Sequence, residues 1–348
     1  MMHGFINLNK PAHWTSHDCV AKLRKCLNTK KIGHSGTLDP LATGVLPIAV
    51  GKATRLLQYL PSGKAYRAVI RFGIQTTTED LGGEIIRQTS AAHLQRHQVE
   101  ALFERFVGEI IQTPPMYSAV QVDGKRLYEL ARQGKKVDVP TRQVVIKQLR
   151  SQQWIDGEHP ELTVDVVCGP GTYIRSLARD LGEAVGTGAT LAGLTRTYSN
   201  GFEIERSTTI ETLSSAFEAD QFVPTAAGEM MKHLKAIALP SELTHRWCLG
   251  QKLLAEEVAP YIEKRINSPA NSEHIDSQKA ISQQSSNSAS IRDLMHQPLR
   301  VLTADSQQFL GIGEFKLGLP TAATHPSSPG DATEDDIIFA PKRVYSSV

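Results

Sequence analysis

Little in this 348-residue sequence points to a metal, a redox cofactor or a membrane. It holds only four cysteines, Cys19, Cys26, Cys168 and Cys248. None forms a C-x-x-C pair or sits with histidines at zinc spacing, so they read as reduced structural thiols. Glycine-rich dinucleotide and Walker patterns are also missing, which disfavours nicotinamide, flavin or nucleotide-driven chemistry; no cofactor and no metal are expected. No window approaches the roughly 20 consecutive apolar residues of a membrane span. Met1-Met2-His3-Gly4-Phe5 carries no charged leader ahead of an apolar stretch, so a cytoplasmic address is expected. A strong excess of either charge is absent too, and the net charge of +2 is too small to identify a nucleic-acid partner by itself.

What is present is an ordinary globular composition, 40% hydrophobic and 21% charged, which supports a real core. The length favours one large domain plus a smaller one. Monomer is the default expectation. Charge is unevenly spread: over residues 1–38, Lys10, Lys22, Arg24, Lys25, Lys30 and Lys31 face the single acid Asp18. Such a field would attract a phosphate backbone, although a charge run more commonly marks a solvated helix face.

Along the chain, Ser16 is a candidate N-cap, Asp18 suits a first helical turn, and Val20, Leu23 and Leu27 supply an apolar stripe. This helix delivers Lys30-Lys31 to a long loop, residues 33–44, that holds three glycines, a proline and small hydroxyl residues. Long loops in compact domains are often functional. Residues 64–73 alternate, with Tyr66, Ala68, Ile70 and Phe72 on one face and Arg67 and Arg71 on the other, which predicts a half-buried strand. A helix around Val99, Leu102, Phe103 and Phe106, a turn at Asp123-Gly124 and a short helix near Leu127 follow. Strands are predicted at 144–149 and 162–168, and Thr172 is placed as the cap of a helix buried through Ile174, Leu177, Ala178 and Leu181. Strands and helices mix without a βαβ repeat, so the expected class is α+β.

The organisation changes near residue 236. We expect a first domain over 1–235, a small β-rich domain over 236–319 built on short apolar runs at 249–254, 299–301 and 309–315, and a mostly flexible tail over 320–348. Within the second domain the Ser/Gln/Asn-rich stretch at about 268–291 has almost no aromatic content, so disorder is expected there.

Three places combine polar residues with loop or element-end positions: His34 with Asp39, Tyr66 with Arg67, and Tyr173 with Arg175. Each taken singly is more often a turn, cap or surface residue. Their setting alters that. The run Gly33-His34-Ser35-Gly36-Thr37-Leu38-Asp39-Pro40-Leu41-Ala42-Thr43-Gly44-Val45-Leu46-Pro47 resembles the signature loop of the TruB family, the bacterial tRNA pseudouridine-55 synthases. The resemblance continues through Lys10-Pro11, residues 64–73, Pro114-Pro115-Met116-Tyr117-Ser118-Ala119, Gly124-Lys125-Arg126-Leu127-Tyr128-Glu129 and Gly171-Thr172-Tyr173-Ile174-Arg175, covering about residues 3–205. The C-terminal part is similar in outline to a small PUA-type RNA-binding domain.

The resemblance implies a pseudouridine synthase fold, a mixed sheet flanked by helices and loops, acting on the T-arm of tRNA without a cofactor. It implies that Asp39 is the catalytic carboxylate, that Tyr66 stacks on the target base, and that Arg175 pairs with the aspartate. His34, Tyr173 and Leu194 fall at positions that accommodate the extruded nucleotide. Lys30, Lys31, Lys64 and Arg67 would neutralise nearby phosphates. Where Thr77 and Gly82 stand here, the family commonly carries further aspartates. Two rival classes compete: a non-catalytic tRNA-binding or folding protein, and a glycosidase with paired carboxylates. The first leaves a carboxylate in an RNA-facing loop unexplained; against the second, no obvious second acid sits beside Asp39.

Overall fold

The computed structural model describes residues 2–122, 124–134, 137–262, 291–318 and 337–345. The chain forms two compact units, Met1–Pro224 and Thr225–Val348. Both are mixed or β-rich, giving the α+β class overall.

A nine-stranded mixed sheet organises the first unit. Strand β1 (Gly4–Lys10) leads to helix α1 (Ser16–Cys26), then β2 (Ile32–His34), β3 (Thr43–Val50) and β4 (Lys64–Phe72). After these come β5 (Gly108–Gln112), β6 (Arg142–Ile155), β7 (Glu161–Cys168), helix α2 (Ile174–Ala184) and β8 (Ala189–Ser199). The spatial order is β1-β3-β8-β4-β7-β6-β5, with β2 on β3 and Phe202–Glu203 on β8. The late strand β8 is thus inserted between two early ones, parallel to β3 and antiparallel to β4. Its Arg196 lies opposite Gly44 on one side and Tyr66 on the other. Through that register, two segments far apart in sequence meet over one strand.

Side-chain alternation makes β4 what it is: Tyr66, Ala68, Ile70 and Phe72 are buried while Arg67 is exposed. Helix α2 packs Ile174, Leu177, Ala178 and Leu181 into the same core, each large side chain contributing about 1.5–3 kcal/mol. At Gly44 the approach to β8 is so close that a Cβ would lie 2.3 Å from the Arg196 carbonyl oxygen, and φ is +97°, so only glycine fits.

Two cap assignments are corrected. Thr15, not Ser16, caps α1: its hydroxyl accepts from the Asp18 N–H while the Asp18 carboxylate accepts from the Thr15 N–H, a reciprocal pair that outcompetes a single cap bond. Ser16 instead turns inward, fully buried, where its Oγ accepts from the Leu38 N–H at 2.9 Å and donates to the Leu38 carbonyl at 3.2 Å. At α2 the N-cap is Tyr173, and the Thr172 hydroxyl bonds back to the Gly169 carbonyl. The expected helix around Val99 is a short α-turn, Arg96–Glu100, followed by a 3-10 turn at Phe103–Phe106.

The second unit holds β9 (Ala236–Leu239), helix α3 (Ser241–Cys248), β10 (Leu253–Leu254), β11 (Leu299–Thr303), β12 (Phe309–Leu317) and β13 (Ile337–Val344). These pair in the order β9-β11-β12-β13-β10 around a core of Trp247, Leu299, Val301, Phe315 and Phe339. Of the apolar run 249–254 only the last two residues are strand, and Leu249 is exposed at the end of α3. Residues 337–344, at the end of the stretch expected to be mostly flexible, form a strand whose Ile337 and Phe339 are buried. Apart from Ile291 and residues 337–345, the expected insertion at 268–291 and tail at 320–348 lie outside the described residues, as does Asp123 of the expected turn.

The Ser16 contact generates a test. Replacing Ser16 with alanine strands the buried Leu38 N–H and carbonyl, and we expect a loss of about 1–3 kcal/mol in urea unfolding of the first unit. An unchanged midpoint would show that this clamp contributes nothing.

Candidate active site

The loop after β2 carries Asp39 and is held at several points. Ser16 grips Leu38 on one side of the aspartate. On the other, the Pro40 carbonyl accepts from the His13 N–H at 2.8 Å and from Lys10 Nζ at 3.3 Å. Lys10 is fully buried and also donates to the Pro11 and Trp14 carbonyls, so its charge is met by three backbone oxygens. Burial nevertheless lowers its pKa below the ordinary lysine value.

Asp39 opens on a cavity of about 190 Å³ lined by Thr37, Leu38, Asp39, Lys64, Tyr66, Ser118, Ala119, residues 171–175 and Leu194. Its Oδ2 lies 3.0 Å from Arg175 Nε. The Arg175 side chain is only 6% exposed, against 41% for that of Asp39. Both terminal nitrogens of Arg175 are fixed as well: Nη1 gives to the Thr78 carbonyl at 3.0 Å and Nη2 to the Tyr117 carbonyl at 2.9 Å. A guanidinium bound on every side presents its Nε edge in one place. Asp39 is therefore aimed by a group that cannot follow it, while its own carboxylate faces the cleft.

A second carboxylate is present that no sequence pattern discloses. Asp80 Oδ2 lies 3.9 Å from the same Arg175 Nε. Its other oxygen accepts from the Thr78 hydroxyl at 2.6 Å and the Gly82 N–H at 3.0 Å, and Asp80 is not among the cavity-lining residues. The surrounding protein raises the Asp39 pKa above the usual carboxylate range; Arg175 pulls it back down and Asp80 pushes it up again. Desolvation by the surrounding protein is the leading cause even though the side chain is 41% exposed to the cleft.

Tyr66 is 7% exposed, and burial raises its phenol above the ordinary tyrosine value while Arg196 opposes that shift. Tyr173 lines the cavity; its backbone N–H and carbonyl are both held by the side-chain amide of the buried Gln112, at 3.0 and 3.2 Å. Arg142 sits 5.8 Å from the Tyr173 ring centroid, a cation–π distance. Lys64 reaches the cavity, and burial, with Arg196 nearby, lowers its pKa.

Of the residues expected at the site, Asp39, Tyr66, Arg175, Tyr173, Leu194 and Lys64 line one cavity. His34 does not line it; it sits in β2 with its ring edge-on to His17 at 5.6 Å, its Nδ1 is buried without a partner, and burial lowers its pKa. Lys30 and Lys31 are exposed just before β2. Arg67 is not part of the cavity: it lies on the face of β4 opposite Tyr66, and its guanidinium binds Asp165 at 2.8 and 2.9 Å. Beyond Asp80, the residues that sequence reasoning misses are Lys10 and Ser16, which hold the loop, Gln112, which holds Tyr173, and Ser118 in the cavity wall. Among the described residues no group of three or more His, Cys, Asp or Glu side chains could hold a metal ion, and no helix is long and apolar enough to cross a membrane.

Comparison with known proteins bears on this arrangement. Residues 24–174 match the family model described as TruB family pseudouridylate synthase, N-terminal domain, and residues 175–243 the tRNA pseudouridylate synthase B C-terminal domain. A protein of Trichormus variabilis named tRNA pseudouridine synthase B is 54% identical over 252 residues, 72% of this chain and 86% of its own. Its namesake from Synechocystis is 52% identical over 258 residues, 74% and 87% of the two chains. Among solved structures, a chain of a Cbf5-Nop10-Gar1 complex superposes with a TM-score of 0.61 at 25% identity, over 89% of this chain and 78% of that one. A chain of an H/ACA RNP bound to a substrate RNA containing 2′-deoxyuridine shares the fold, with a TM-score of 0.62 at 22% identity, covering 99% and 85%. With a mixed sheet of this topology, an aspartate loop closed over it and relatives more than half identical across most of their length, the chain belongs to the TruB family of pseudouridylate synthases.

Proposed function

We propose that this protein converts uridine to pseudouridine at position 55 in the T-arm of tRNA, flipping the base into the cavity beside Asp39. The observation that carries the reading is a carboxylate held at 3.0 Å by a buried arginine and facing a buried tyrosine across one cleft. The names of the curated relatives support tRNA as the substrate.

The reaction is an isomerisation. The bond from ribose C1′ to N1 breaks, one from C1′ to C5 forms, C5 loses a proton and N1 gains one. No electrons leave the base, so the protein supplies a nucleophile, a pocket and proton management. Ionised Asp39 is the nucleophile, adding either to the pyrimidine ring or to C1′; both routes need the deprotonated form. Arg175 favours that form against the desolvation of the site and aims it. Extruding a base from a folded loop costs a few kcal/mol, and an aromatic face such as Tyr66 returns about 1–3 kcal/mol by stacking. Tyr173 and Leu194 close the other walls of the pocket, and His34 occupies the space the base leaves. Lys30, Lys31 and Lys64 meet the phosphates around the flipped nucleotide; Arg67, engaged with Asp165, contributes least. In this reading residues 1–235 form the catalytic domain, and the β-rich domain from residue 236 is a PUA-like RNA-binding domain. The protein acts as a cytoplasmic monomer.

Two measurements follow. A T-arm transcript tritiated at uridine C5 should release tritium with the wild type and none with a folded Asp39→Asn that still binds RNA. Retention of label by the wild type despite tight binding would sink the catalytic reading. Second, the Lys30→Ala, Lys31→Ala double variant should weaken RNA binding and flatten its dependence on log salt by about 0.7 for each phosphate no longer neutralised. An unchanged slope would remove both lysines from the RNA interface.

A further inference from the structure

Arg196 is one of the largest fully buried side chains in the protein, and neither the aspartate loop nor the base pocket accounts for it. Its Nε donates to the Val45 carbonyl at 2.7 Å and its Nη2 to the Gly36 carbonyl at 2.8 Å. Those oxygens flank the segment that carries Asp39, one before it and one after. Arg196 thus spans both ends of the loop with two donors of one rigid fork, a fixed planar geometry that a lysine's single ammonium does not reproduce.

The backbone of the same residue sits between Gly44 and Tyr66 in the sheet, so the strand that staples the loop also neighbours the strand of the tyrosine. Nη1 has no partner at full hydrogen-bond geometry, and the guanidinium makes a looser side-chain hydrogen bond with the Tyr66 phenol beside it. Nη1 packs against Gly36, where φ is +71° and a Cβ would come within 3.2 Å of Nη1 and 3.3 Å of Lys64 Nζ. The acidic group that interacts with Arg196 is the Tyr66 phenol rather than a carboxylate, and it holds the guanidinium charge up while burial lowers it. A buried guanidinium with a donor short of a full partner is costly, and the phenol beside it offsets part of that cost.

We propose that Arg196 is a positioning residue that locks the Asp39 loop to the Tyr66 strand, its guanidinium bound to the loop backbone through Nε and Nη2 and its own backbone paired with Tyr66. The inference rests on the assignment of Asp39 and Tyr66 above. It makes the distance between carboxylate and phenol a property of one side chain that need not touch the nucleotide. The left-handed φ of +71° at Gly36 favours glycine, and a Cβ there would crowd both Arg196 Nη1 and Lys64.

The test compares Arg196→Lys, Tyr66→Phe and the double variant in single-turnover tritium release and in RNA binding. Arg196→Lys keeps the charge but loses the planar fork that holds Gly36 and Val45 at a fixed separation. It should retain RNA affinity and lose at least about 100-fold in rate, the scale set by displacing reacting groups by roughly an ångström. In the Tyr66→Phe background the same change should cost much less, because the phenol it positions is already gone; a purely structural arginine would give additive losses. Wild-type turnover by folded Arg196→Lys, or strict additivity, overturns the proposal. Should Arg196→Lys fail to melt cooperatively, Gly36→Ala carries the test in a Lys64→Ala background, which removes the other side chain its Cβ would crowd: a rate below that of Lys64→Ala with RNA binding kept is expected, and a rate equal to that of Lys64→Ala overturns the proposal. If the wild-type protein itself releases no tritium, the catalytic reading fails instead, and the two failures are distinguishable.

Discussion

Everything at this site depends on keeping one carboxylate charged where the protein would rather have it neutral. Burial in the cleft raises the Asp39 pKa, and Asp80 adds to the pressure. Arg175 opposes both from 3.0 Å. An arginine can do this only if it stays put, and its two terminal nitrogens are held by the carbonyls of Thr78 and Tyr117, from two separate loops. The ion pair is therefore the meeting point of three loops, and the fold around it is what keeps those loops in reach of one another.

The sheet order supplies that reach. Inserting β8 between β3 and β4 places a strand from late in the chain beside the exit of the Asp39 loop and beside Tyr66 at the same register position. Helix α1 closes the loop from the other side through Ser16, and buried Lys10 ties it through Pro40. Each clamp binds backbone rather than the aspartate side chain. The carboxylate is left free for chemistry while the chain on either side of it is not free to move.

Much of this is legible in the residues. Period-2 alternation places β4 and puts Tyr66 and Arg67 on opposite faces, which already implies that both cannot serve one pocket. The polar, glycine-rich run around Asp39 reads as a loop with a purpose, and its resemblance to a known family identifies the purpose. What stays hidden depends on contacts between distant segments. Asp80 lies some forty residues from Asp39 and only the fold brings it to Arg175. Arg196 sits in a strand whose alternation is broken by register shifts on both sides of residues 193–196, so no parity argument marks it as buried. Ser16 is easily mistaken for the cap because Thr15 and Ser16 are both cap residues; the acid three positions after Thr15 is the signal that decides between them.

The central claim, that Arg175 keeps a desolvated Asp39 ionised, is most directly tested by titrating the Asp39 carboxyl carbon by NMR in the free protein and in Arg175→Met. The account predicts a wild-type pKa above the usual carboxylate range but a carboxylate still ionised at neutral pH. It predicts a further rise once the arginine is gone. Equal pKa values in the two proteins, or a wild-type Asp39 already protonated at neutral pH, would contradict it.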